Sequence, residues 1–262
     1  MAKLTALTRW VGPELADCEL THYEREDIDA DAAHTEHVAY LDTLREFCDE
    51  VVELPALSEH PDGCFVEDAA IVFDECVVLT RPGALSRRGE VEHLAPHLPT
   101  DREVATLEEP CTLDGGDVLV CGKTVFVGLS TRTNHAGLKQ LAHLLLPHGY
   151  RVKAVEVTGC LHLTSAMTAI APDLLLGNPE WANLERVNGV ELLSVAPGES
   201  AAGNALWIGG GLIYPEEFPR TAEKLTARGL TLRTIPTVEF QKAEAGVTCR
   251  CIHWSTPPQA SS

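Results

Sequence analysis

Four short stretches of the sequence place polar, chemically reactive side chains before or at the start of apolar segments. The stretches are DGCFVEDAAIV, CTLDGGDVLV, TGCLHLTSAMTAI and GVTCRC. Their polar residues are two pairs of acids, one histidine and one cysteine: Glu67, Asp68, Asp114, Asp117, His162 and Cys249. Because each set has the same position relative to a predicted strand, a repeating fold would bring the four stretches together.

These residue types can perform covalent catalysis when separate loops bring them together. A cysteine thiolate is a nucleophile, a histidine can donate and then remove a proton, and a carboxylate orients the histidine. Further buried carboxylates suit a planar cation such as a guanidinium group, which forms paired hydrogen bonds with them. Each residue alone could instead have a purely structural role, since a single cysteine or histidine in an apolar segment commonly packs in the core.

The last stretch contains two thiols, Cys249 and Cys251, one residue apart. The segment TCRCIHW is predicted to be a strand, and alternation in a strand would place both thiols on the same face. The pattern alone does not say which of them is reactive.

The elements that must position these residues form a loose repeat. Pairs of apolar runs joined by short turns begin near Ala69, Asp117, Thr168 and Ala205, at intervals of roughly 40–50 residues. Helices are predicted near residues 88–98, at HAGLKQLAHLLL and at RTAEKLTARGL. Each unit is therefore predicted to run strand, turn, strand, loop, helix, strand.

A fifth unit is split between the two ends of the chain. Its strands are LTALTRW and TCRCIHW, and its helix is HTEHVAYLDTLREFCDEVV, from His34. Pairing of the last strand with the first would close a ring and leave no open sheet edges. We predict one α/β domain over residues 1–254, a ring of five ββαβ-like units, followed by a flexible polar tail, 255–262. An open α/β sheet with irregular strand order is the alternative.

Composition restricts the possible partners and the compartment. Lys and Arg number 20 against 39 Asp and Glu, a net charge of −19, which disfavours nucleic acid and anionic membranes and mildly attracts a small cation. Nine cysteines without a CxxC pair do not form a disulfide framework. The sequence has no signal-peptide pattern and no apolar run of the ~20 residues that span a bilayer. We expect a reduced, cytoplasmic protein.

No metal site is predicted. Glu92 and His93 stand near His97, but Pro96 interrupts that helix and no further ligand is evident. The stretch IGGGLIYP lacks the strand–GxGxxG–helix context of a dinucleotide site and is predicted to be a hairpin turn.

Six motifs in order resemble the guanidino-group-modifying enzymes of the pentein fold, and most closely the dimethylarginine dimethylaminohydrolase family. They are FVEDAAIV (65–72), LTRPGALSRR (79–88), TLDGGDVL (112–119), FVGLSTRTN (126–134), LHLTS (161–165) and GVTC (246–249). The resemblance covers roughly residues 60–250 and is far more specific than any one motif. It implies a five-bladed α/β propeller with pseudo-fivefold symmetry, which agrees with the repeat count.

The resemblance also implies roles for individual residues. The nucleophile falls on Cys249, the general acid and base on His162, and the carboxylate that orients the histidine on Asp114. Cys251 has no counterpart and is expected to pack. The substrate-binding positions are the guanidinium-binding acids Glu67 and Asp68, the α-carboxylate-binding arginines Arg87 and Arg132, the lid residue Leu20, and the α-amino contacts near Ala243 and Asp62.

Asp62 departs from the family pattern, because the expected acid would stand at Gly63. The lid region, ELADCELTHYERED, also matches poorly.

The activity that the resemblance implies is hydrolysis of Nω-methylated arginines to citrulline and methylamine or dimethylamine, with no metal or organic cofactor. The substrate would be a small molecule, and the protein a monomer or homodimer. Three alternatives are an arginine or agmatine deiminase, an amidinotransferase, and a non-catalytic pentein that binds another macromolecule. The chain is short for the usual arginine deiminase, and the two arginines argue against agmatine, which has no α-carboxylate.

Overall fold

The fold consists of five three-stranded sheets arranged in a ring. The computed structural model describes residues 2–257. Its strands are β1 (Lys3–Arg9), β2 (Glu50–Leu54), β3 (Ala70–Val72), β4 (Cys76–Leu79), β5 (Glu103–Thr106), β6 (Val118–Cys121), β7 (Thr124–Leu129), β8 (Arg151–Glu156), β9 (Met167–Ala171), β10 (Leu174–Gly177), β11 (Glu191–Ser194), β12 (Leu206–Ile208), β13 (Gly211–Pro215), β14 (Leu232–Ile235) and β15 (Ile252–Thr256).

Every sheet has the same internal order. Its middle strand pairs antiparallel with the first strand and parallel with the third, as in β3-β4-β5 and β6-β7-β8. The sheets β9-β10-β11 and β12-β13-β14 repeat this order, and β15-β1-β2 completes the ring. The predicted five-bladed α/β propeller of the pentein type is confirmed.

Six α-helices accompany the strands in the described chain: α1 (Ala30–Phe47), α2 (Glu90–Leu94), α3 (His135–Leu145), α4 (Leu163–Ala166), α5 (Pro219–Ala227) and α6 (Val238–Lys242). Four of them, α1, α2, α3 and α5, cross from the second to the third strand of a blade, as a parallel pair requires. The two short helices, α4 and α6, precede β9 and β15. No described helix combines the length and apolar character needed to cross a membrane.

The first strands of the blades surround a central channel with a volume of about 480 Å³. Its wall includes residues of β3, β6, β9, β12 and β15, and it reaches Glu67, Gly115, Thr164 and Thr248. These four residues precede first strands, so the channel ends where the predicted reactive stretches lie.

The ring closes through the ends of the chain. β1 and β15 pair antiparallel, from Lys3 opposite Thr256 to Leu7 opposite Ile252. The prediction of a polar tail over 255–262 is therefore wrong at its start, because Ser255 and Thr256 belong to β15. Residues 258–262 lie outside the described part of the chain.

Two predicted elements of the split unit differ from the structure. The helix predicted from His34 through Val52 ends at Phe47, and the β-branched pair Val51 and Val52 forms β2, which pairs parallel with β1. The last strand begins only at Ile252, because the Cys251 N–H donates to the carbonyl of Thr248 in a turn. The two thiols therefore do not share the face of a strand.

The blade formed by β9, β10 and β11 lacks the predicted helix. Between β10 and β11 the described chain forms only a single 3₁₀ turn, Leu184–Arg186. Pro179, Gly189 and several asparagines interrupt this connection, and these residue types disfavour a helix interior.

Candidate active site

The predicted reactive residues all lie in short turns at the head of a first strand. Glu67 and Asp68 lie in the 3₁₀ turn before β3, and Asp114 caps the turn before β6. His162 caps α4 before β9, and Cys249 precedes β15. One small cavity is lined by Glu19, Asp62, Phe65, Asp68, Arg87, Arg132, Leu161, His162, Ala243, Glu244, Ala245 and Cys249. The prediction that one repeated position would bring these groups together is confirmed for Asp68, His162 and Cys249.

Two glycines allow this close packing. A Cβ on Gly115 would collide with the carbonyl oxygen of Glu67. A Cβ on Gly116 would lie 2.8 Å from both Asp68 Oδ1 and His162 Nδ1. Only glycine lets the backbone approach these side chains, which explains the GG of the stretch CTLDGGDVLV.

His162 is buried between two carboxylates. Its Nε2 is 3.0 Å from Asp114 Oδ2, and its Nδ1 is 3.8 Å from Asp68 Oδ1. Burial disfavours the imidazolium, but Asp68 and the hydrogen bond with Asp114 outweigh it and raise the pKa of His162 to about 9. The histidine therefore holds a proton at neutral pH.

Asp114 is itself held in place from two sides. Its Oδ1 accepts the Gly83 N–H at 2.7 Å, and its Oδ2 lies 3.6 Å from Arg132 Nη1. The side chain is fully buried. These contacts fix the carboxylate that orients His162.

Cys249 is a buried thiol in an acidic neighbourhood. The Gly246 N–H points at Sγ from 3.3 Å. Burial, and then the negative charges of Glu67 and Asp68, raise the pKa of this thiol. The raised pKa favours the protonated thiol at neutral pH.

Glu67 lines the central channel and not the small cavity. Its Oε2 accepts the hydroxyl of Thr248 at 2.8 Å and that of Thr164 at 3.4 Å. Burial, followed by the charge of Asp68, raises the pKa of Glu67 to about 7. The cavity lining does not include Glu67, so the structure places it behind the cavity, bonded to the residue before Cys249.

Asp68 is ionised despite its burial. Burial opposes the carboxylate, but His162 and Arg87 outweigh it and lower the pKa of Asp68 to about 2. Its Oδ1 accepts the Gly116 N–H at 2.9 Å, and its Oδ2 accepts Arg87 Nη1 at 2.5 Å.

Arg87 is almost completely occupied by internal bonds. Its guanidinium donates to Asp68, to both carboxylate oxygens of Glu90, and to the carbonyl oxygens of Asp62 and Phe65. Only 2% of the side chain is exposed. Here Arg87 organises the turns around the cavity, and its predicted contact with a substrate carboxylate remains a prediction.

Arg132 differs, because one of its amino groups is unused. Nη1 is buried and has no hydrogen-bond partner among residues 2–257, while Nη2 donates to Thr21 Oγ1 at 3.3 Å. A buried donor without an acceptor is costly unless a ligand satisfies it. This group points to an anionic ligand in the cavity.

A cover segment, residues 19–23, is hydrogen-bonded to the cavity residues Asp62, Arg132 and Glu244. The Glu19 N–H donates to both carboxylate oxygens of Asp62, at 3.3 and 3.1 Å. The carboxylate of Glu244 accepts the backbone N–H groups of Thr21, His22 and Tyr23. Glu244 has a φ of 56°, the sole positive value of a non-glycine residue in residues 2–257.

The three remaining predicted residues differ in their position relative to the cavity. Leu20 lies in the cover segment, half-buried against the core cluster that contains Cys249, but it does not line the cavity. Ala243 lines the cavity and ends α6. Asp62 lines it as well, although the sequence pattern is displaced by one residue there.

Sequence reasoning missed several residues that support the site. The Asn204 side chain accepts the Thr248 N–H at 3.1 Å and donates to the Thr164 carbonyl at 2.9 Å. Asn204 directly precedes the first segment of its blade, ALWI, so the repeated position could have revealed it. Glu90, which accepts hydrogen bonds from Arg87, could not be recognised from the sequence, because the segment GEVEHL has the pattern of a solvent-exposed helix.

Cys251 packs away from the cavity, as the resemblance implied. It lies in the core cluster with Ala6, Tyr40 and Val247, whereas Cys249 lies in a different cluster with Phe65 and Phe240. All nine cysteines are free thiols.

Donor atoms of Asp68, Asp114 and His162 lie within 4.8 Å of one another, a spacing that a metal ion could also use. Each carboxylate here already accepts hydrogen bonds, from Arg87 and Gly116 or from Gly83 and His162. The geometry has an explanation in ion pairing, and the absence of a metal remains a prediction.

A ring of five ββαβ-like blades with a buried cysteine, histidine and carboxylates at its axis defines a pentein of the guanidino-modifying class. A family model described as N,N dimethylarginine dimethylhydrolase, eukaryotic, matches residues 19–184. The chain is 38% identical over 252 residues to N(G),N(G)-dimethylarginine dimethylaminohydrolase of Streptomyces coelicolor. The alignment covers 95% of this chain and 96% of that protein. The chain belongs to the dimethylarginine dimethylaminohydrolase family.

Solved structures of the family have the same fold along their whole length. One is the Pseudomonas aeruginosa protein, a cysteine-to-serine mutant complexed with citrulline, with a TM-score of 0.89 and 29% identity. Another is a histidine-to-glycine variant as an adduct with S-methyl-L-thiocitrulline, with a TM-score of 0.90 and 30% identity. Each superposition includes 97% of this chain and 100% of the solved chain.

Proposed function

We propose that this protein hydrolyses Nω-methylated arginines to citrulline and methylamine or dimethylamine through a covalent intermediate on Cys249. The observation that carries the proposal is the convergence of Cys249, the His162–Asp114 pair and Asp68 at one buried cavity. A negatively charged, buried cavity fits a cationic guanidinium, and a thiol with a raised pKa gains reactivity when that cation arrives.

The amino-acid end of the substrate has matching groups on the opposite wall. Arg132 Nη1, which makes no hydrogen bond to any described residue and lies 3.6 Å from Asp114 Oδ2, is suited to the α-carboxylate, and the carboxylate of Asp62 to the α-ammonium group. Ala243 forms the wall beside that end, and Leu20 belongs to the segment that covers it. Arg87 acts mainly by fixing Asp68 and the turns that carry Asp62 and Phe65.

The reaction begins with the charge of the substrate. Its guanidinium docks against Asp68, with Glu67 behind, and offsets the negative field that keeps the Cys249 thiol protonated. The thiol releases its proton to solvent, and Sγ attacks the guanidinium carbon. The carbon–nitrogen bond breaks, and the amine leaves with the proton that His162 held.

A thiouronium bond between Sγ and the former guanidinium carbon remains. Neutral His162, oriented by Asp114, removes a proton from water, and the resulting hydroxide attacks that carbon. The carbon–sulfur bond breaks, the proton on the new oxygen passes to the departing sulfur, and citrulline and the Cys249 thiol are formed. The residues that act in these steps are those of the chain itself, and the mechanism uses no cofactor.

The solved relatives support these steps in part. The structure with citrulline carries the proposed product, and the adduct with S-methyl-L-thiocitrulline carries a covalent form of a citrulline analogue. Both share the fold of this chain over their whole length.

The test is a product assay of the purified protein with asymmetric dimethylarginine, monomethylarginine and arginine in parallel. We expect citrulline and a matching amount of amine from the methylated substrates and little from arginine. Ammonia release from arginine would instead indicate a deiminase. Transfer of the amidino group to an added amine would indicate an amidinotransferase. No product with folded protein would favour a binding role.

Two cysteine variants make a matched pair for the nucleophile. Cys249→Ser is expected to abolish turnover, because a serine hydroxyl is a far weaker nucleophile than a thiolate. Cys251→Ala is expected to retain turnover, because its thiol packs in a different core cluster. Equal loss in both variants would remove the nucleophile assignment from Cys249.

We also propose a cytoplasmic, reduced location, which the nine free thiols support. The net charge of −19 supports a small cationic substrate rather than nucleic acid or an anionic membrane. A monomer or homodimer suffices for this chemistry, since all groups of the site come from one chain.

A further inference from the structure

Arg250, the residue after Cys249, is a completely buried arginine without a hydrogen-bonded partner. Its Cζ lies 4.1 Å from the ring centroid of Tyr40 and 4.1 Å from that of Phe240. Its Nε, Nη1 and Nη2 have no hydrogen-bond partner within the described residues 2–257. Buried arginines are normally paired with acids, because an unpaired charge in the interior is costly. Here the faces of two rings hold the charge instead.

The position of this charge relates it to the nucleophile. Phe240, which covers one face of the guanidinium, belongs to the same core cluster as Cys249 and Cys64. Arg250 and Cys249 are consecutive in a turn held by the bond from the Cys251 N–H to the Thr248 carbonyl. The turn and the two rings therefore hold a positive charge on the residue that directly follows the thiol.

The thiol has charged neighbours of both signs, since His162, Arg87 and Arg132 line the same cavity as Cys249. Glu67 and Asp68 add negative charge beside Cys249, which disfavours its thiolate. On its own side, Arg250 faces Glu36, Tyr40 and Cys64, and the field of Arg250 also reaches His37. Glu36 uses its carboxylate to accept the backbone N–H groups of Glu239 and Phe240. It does not bond Arg250, so the arginine's charge is only partly offset.

We propose that Arg250 is a positioning residue for the nucleophile, a fixed buried positive charge that stabilises the thiolate form of Cys249. The inference rests on the proposed role of Cys249. A charge without a bonded counterion acts over several ångströms in a medium of low dielectric constant. A guanidinium does not lose its proton at any working pH, so the field stays constant while the thiol and His162 change state.

A purely structural role for Arg250 is the competing explanation, because its guanidinium packs against the rings of α1 and α6. The two explanations differ in one measurable property, the ionisation of the Cys249 thiol. Loss of packing lowers stability but leaves that ionisation unchanged. Loss of a nearby positive charge makes the thiol harder to ionise.

The experiment compares Arg250→Met, which removes the charge, with Arg250→Lys, which keeps it. The readout is the rate of alkylation of Cys249 by iodoacetamide as a function of pH, followed on the peptide that contains Cys249, with Cys249→Ser as the blank. For Arg250→Met we expect about tenfold slower alkylation at neutral pH, corresponding to a rise of about one pKa unit. Arg250→Lys is expected to remain near the wild-type profile.

A profile of Arg250→Met that coincides with the wild-type profile would overturn the proposal, whatever its melting temperature. If that variant does not fold, Glu36→Gln provides the second measurement, because it removes a negative charge that faces Arg250. We then expect faster alkylation of Cys249, and an unchanged profile would count against the proposal. Turnover by Cys249→Ser would instead refute the proposed function, whereas the alkylation profile would still report the coupling between Arg250 and the thiol.

Discussion

Arg87 and Arg132 line the same cavity, yet their surroundings differ in a way that separates their roles. Arg87 is bonded to Asp68 and Glu90 and is buried, while Arg132 keeps one buried amino group without an acceptor. An arginine whose bonds are all internal contributes to the structure, and one with an unused donor is available to a ligand.

This difference predicts that removing the charge of Arg132 changes substrate binding, whereas removing the charge of Arg87 changes stability. Arg132→Met is expected to raise KM about tenfold to a hundredfold, with a modest change in melting temperature, because a charged hydrogen bond to the substrate is lost. Arg87→Met is expected to reduce the free energy of unfolding by about 3–5 kcal/mol, because buried Glu90 loses its ion-pair partner and buried Asp68 loses one of its two cationic partners. Steady-state kinetics and thermal unfolding of both variants provide the comparison, and a stable Arg87→Met with only a raised KM would contradict it.

The pKa of His162 gives a second prediction for a single residue. A negative charge favours the imidazolium, so Asp68→Asn removes a cause of the raised pKa and is expected to lower it from about 9. At a pH above this pKa, His162 is neutral and cannot protonate the leaving amine. In the variant, His162 would therefore lose its proton at a lower pH than in the wild-type protein.

NMR titration of the imidazole, in a Cys249→Ser background, measures this pKa directly. Glu92→Gln is a suitable control, because Glu92 is not among the groups that shift His162. An unchanged titration in Asp68→Asn would show that Asp114 and Asp117 alone hold the proton.

At the scale of elements, the N-terminus of α1 has a distinct cap. The carboxylate of Asp29 accepts the N–H groups of Asp31 and Ala32, both at 3.0 Å. Asp29→Ala is expected to lower the free energy of unfolding by about 1 kcal/mol, because two orphan donors at the helix start lose their acceptor. Denaturant unfolding measures the change. Asp31→Asn, which leaves the cap in place, is expected to change it less, and equal losses would argue against the cap.

The elements that were predictable from the sequence are those with local signals. The β12–β13 hairpin follows from Gly209 and Gly210, whose φ values of 58° and 83° require residues that tolerate positive φ. The β6–β7 hairpin follows in the same way from Gly122. Because such turns recur along the chain, the repeat and the shared position of the reactive residues could also be predicted.

Other features depend on contacts distant in sequence and could not be predicted from local pattern. The segment around Cys249 has the apolar alternation of a strand, yet it forms a turn because Thr248 bonds Asn204 and Glu67 from other blades. The end of α1 was also missed, because Val51 and Val52 continue an apolar pattern that serves either a helix or a strand. The pairing of Arg87 with Glu90 lay in a stretch that reads as solvent-exposed.

At the scale of the whole molecule, the first and last strands of the described chain belong to one sheet. β1 and β15 close the ring by pairing five residues on each strand, and this brings Lys3 opposite Thr256. The two ends of the described chain are therefore neighbours in space, although they are farthest apart in sequence.

This arrangement predicts that a circular permutant will fold. In this permutant residue 262 is joined to residue 1, and the chain is opened between Gly122 and Lys123. These two residues form the exposed turn between the paired strands β6 and β7, where a chain break is tolerated best. We expect wild-type circular dichroism and retained activity. Opening the chain instead within β9, which packs in the core, should prevent folding. Failure of the first permutant alone would show that the covalent order of the blades matters for closure.

The bonds of the cover segment also affect how binding constants are to be interpreted. The Glu19 N–H occupies Asp62, the group proposed to hold the α-ammonium end of the amino acid, and Thr21 bonds the Nη2 of Arg132 beside the Nη1 proposed for the α-carboxylate. The cover segment thus acts as a tethered competitor at a fixed effective concentration for the α-ammonium group of an amino-acid ligand. Compounds that bind only at the guanidinium end would avoid this competition, and amide exchange at Glu19 would distinguish the two kinds of ligand.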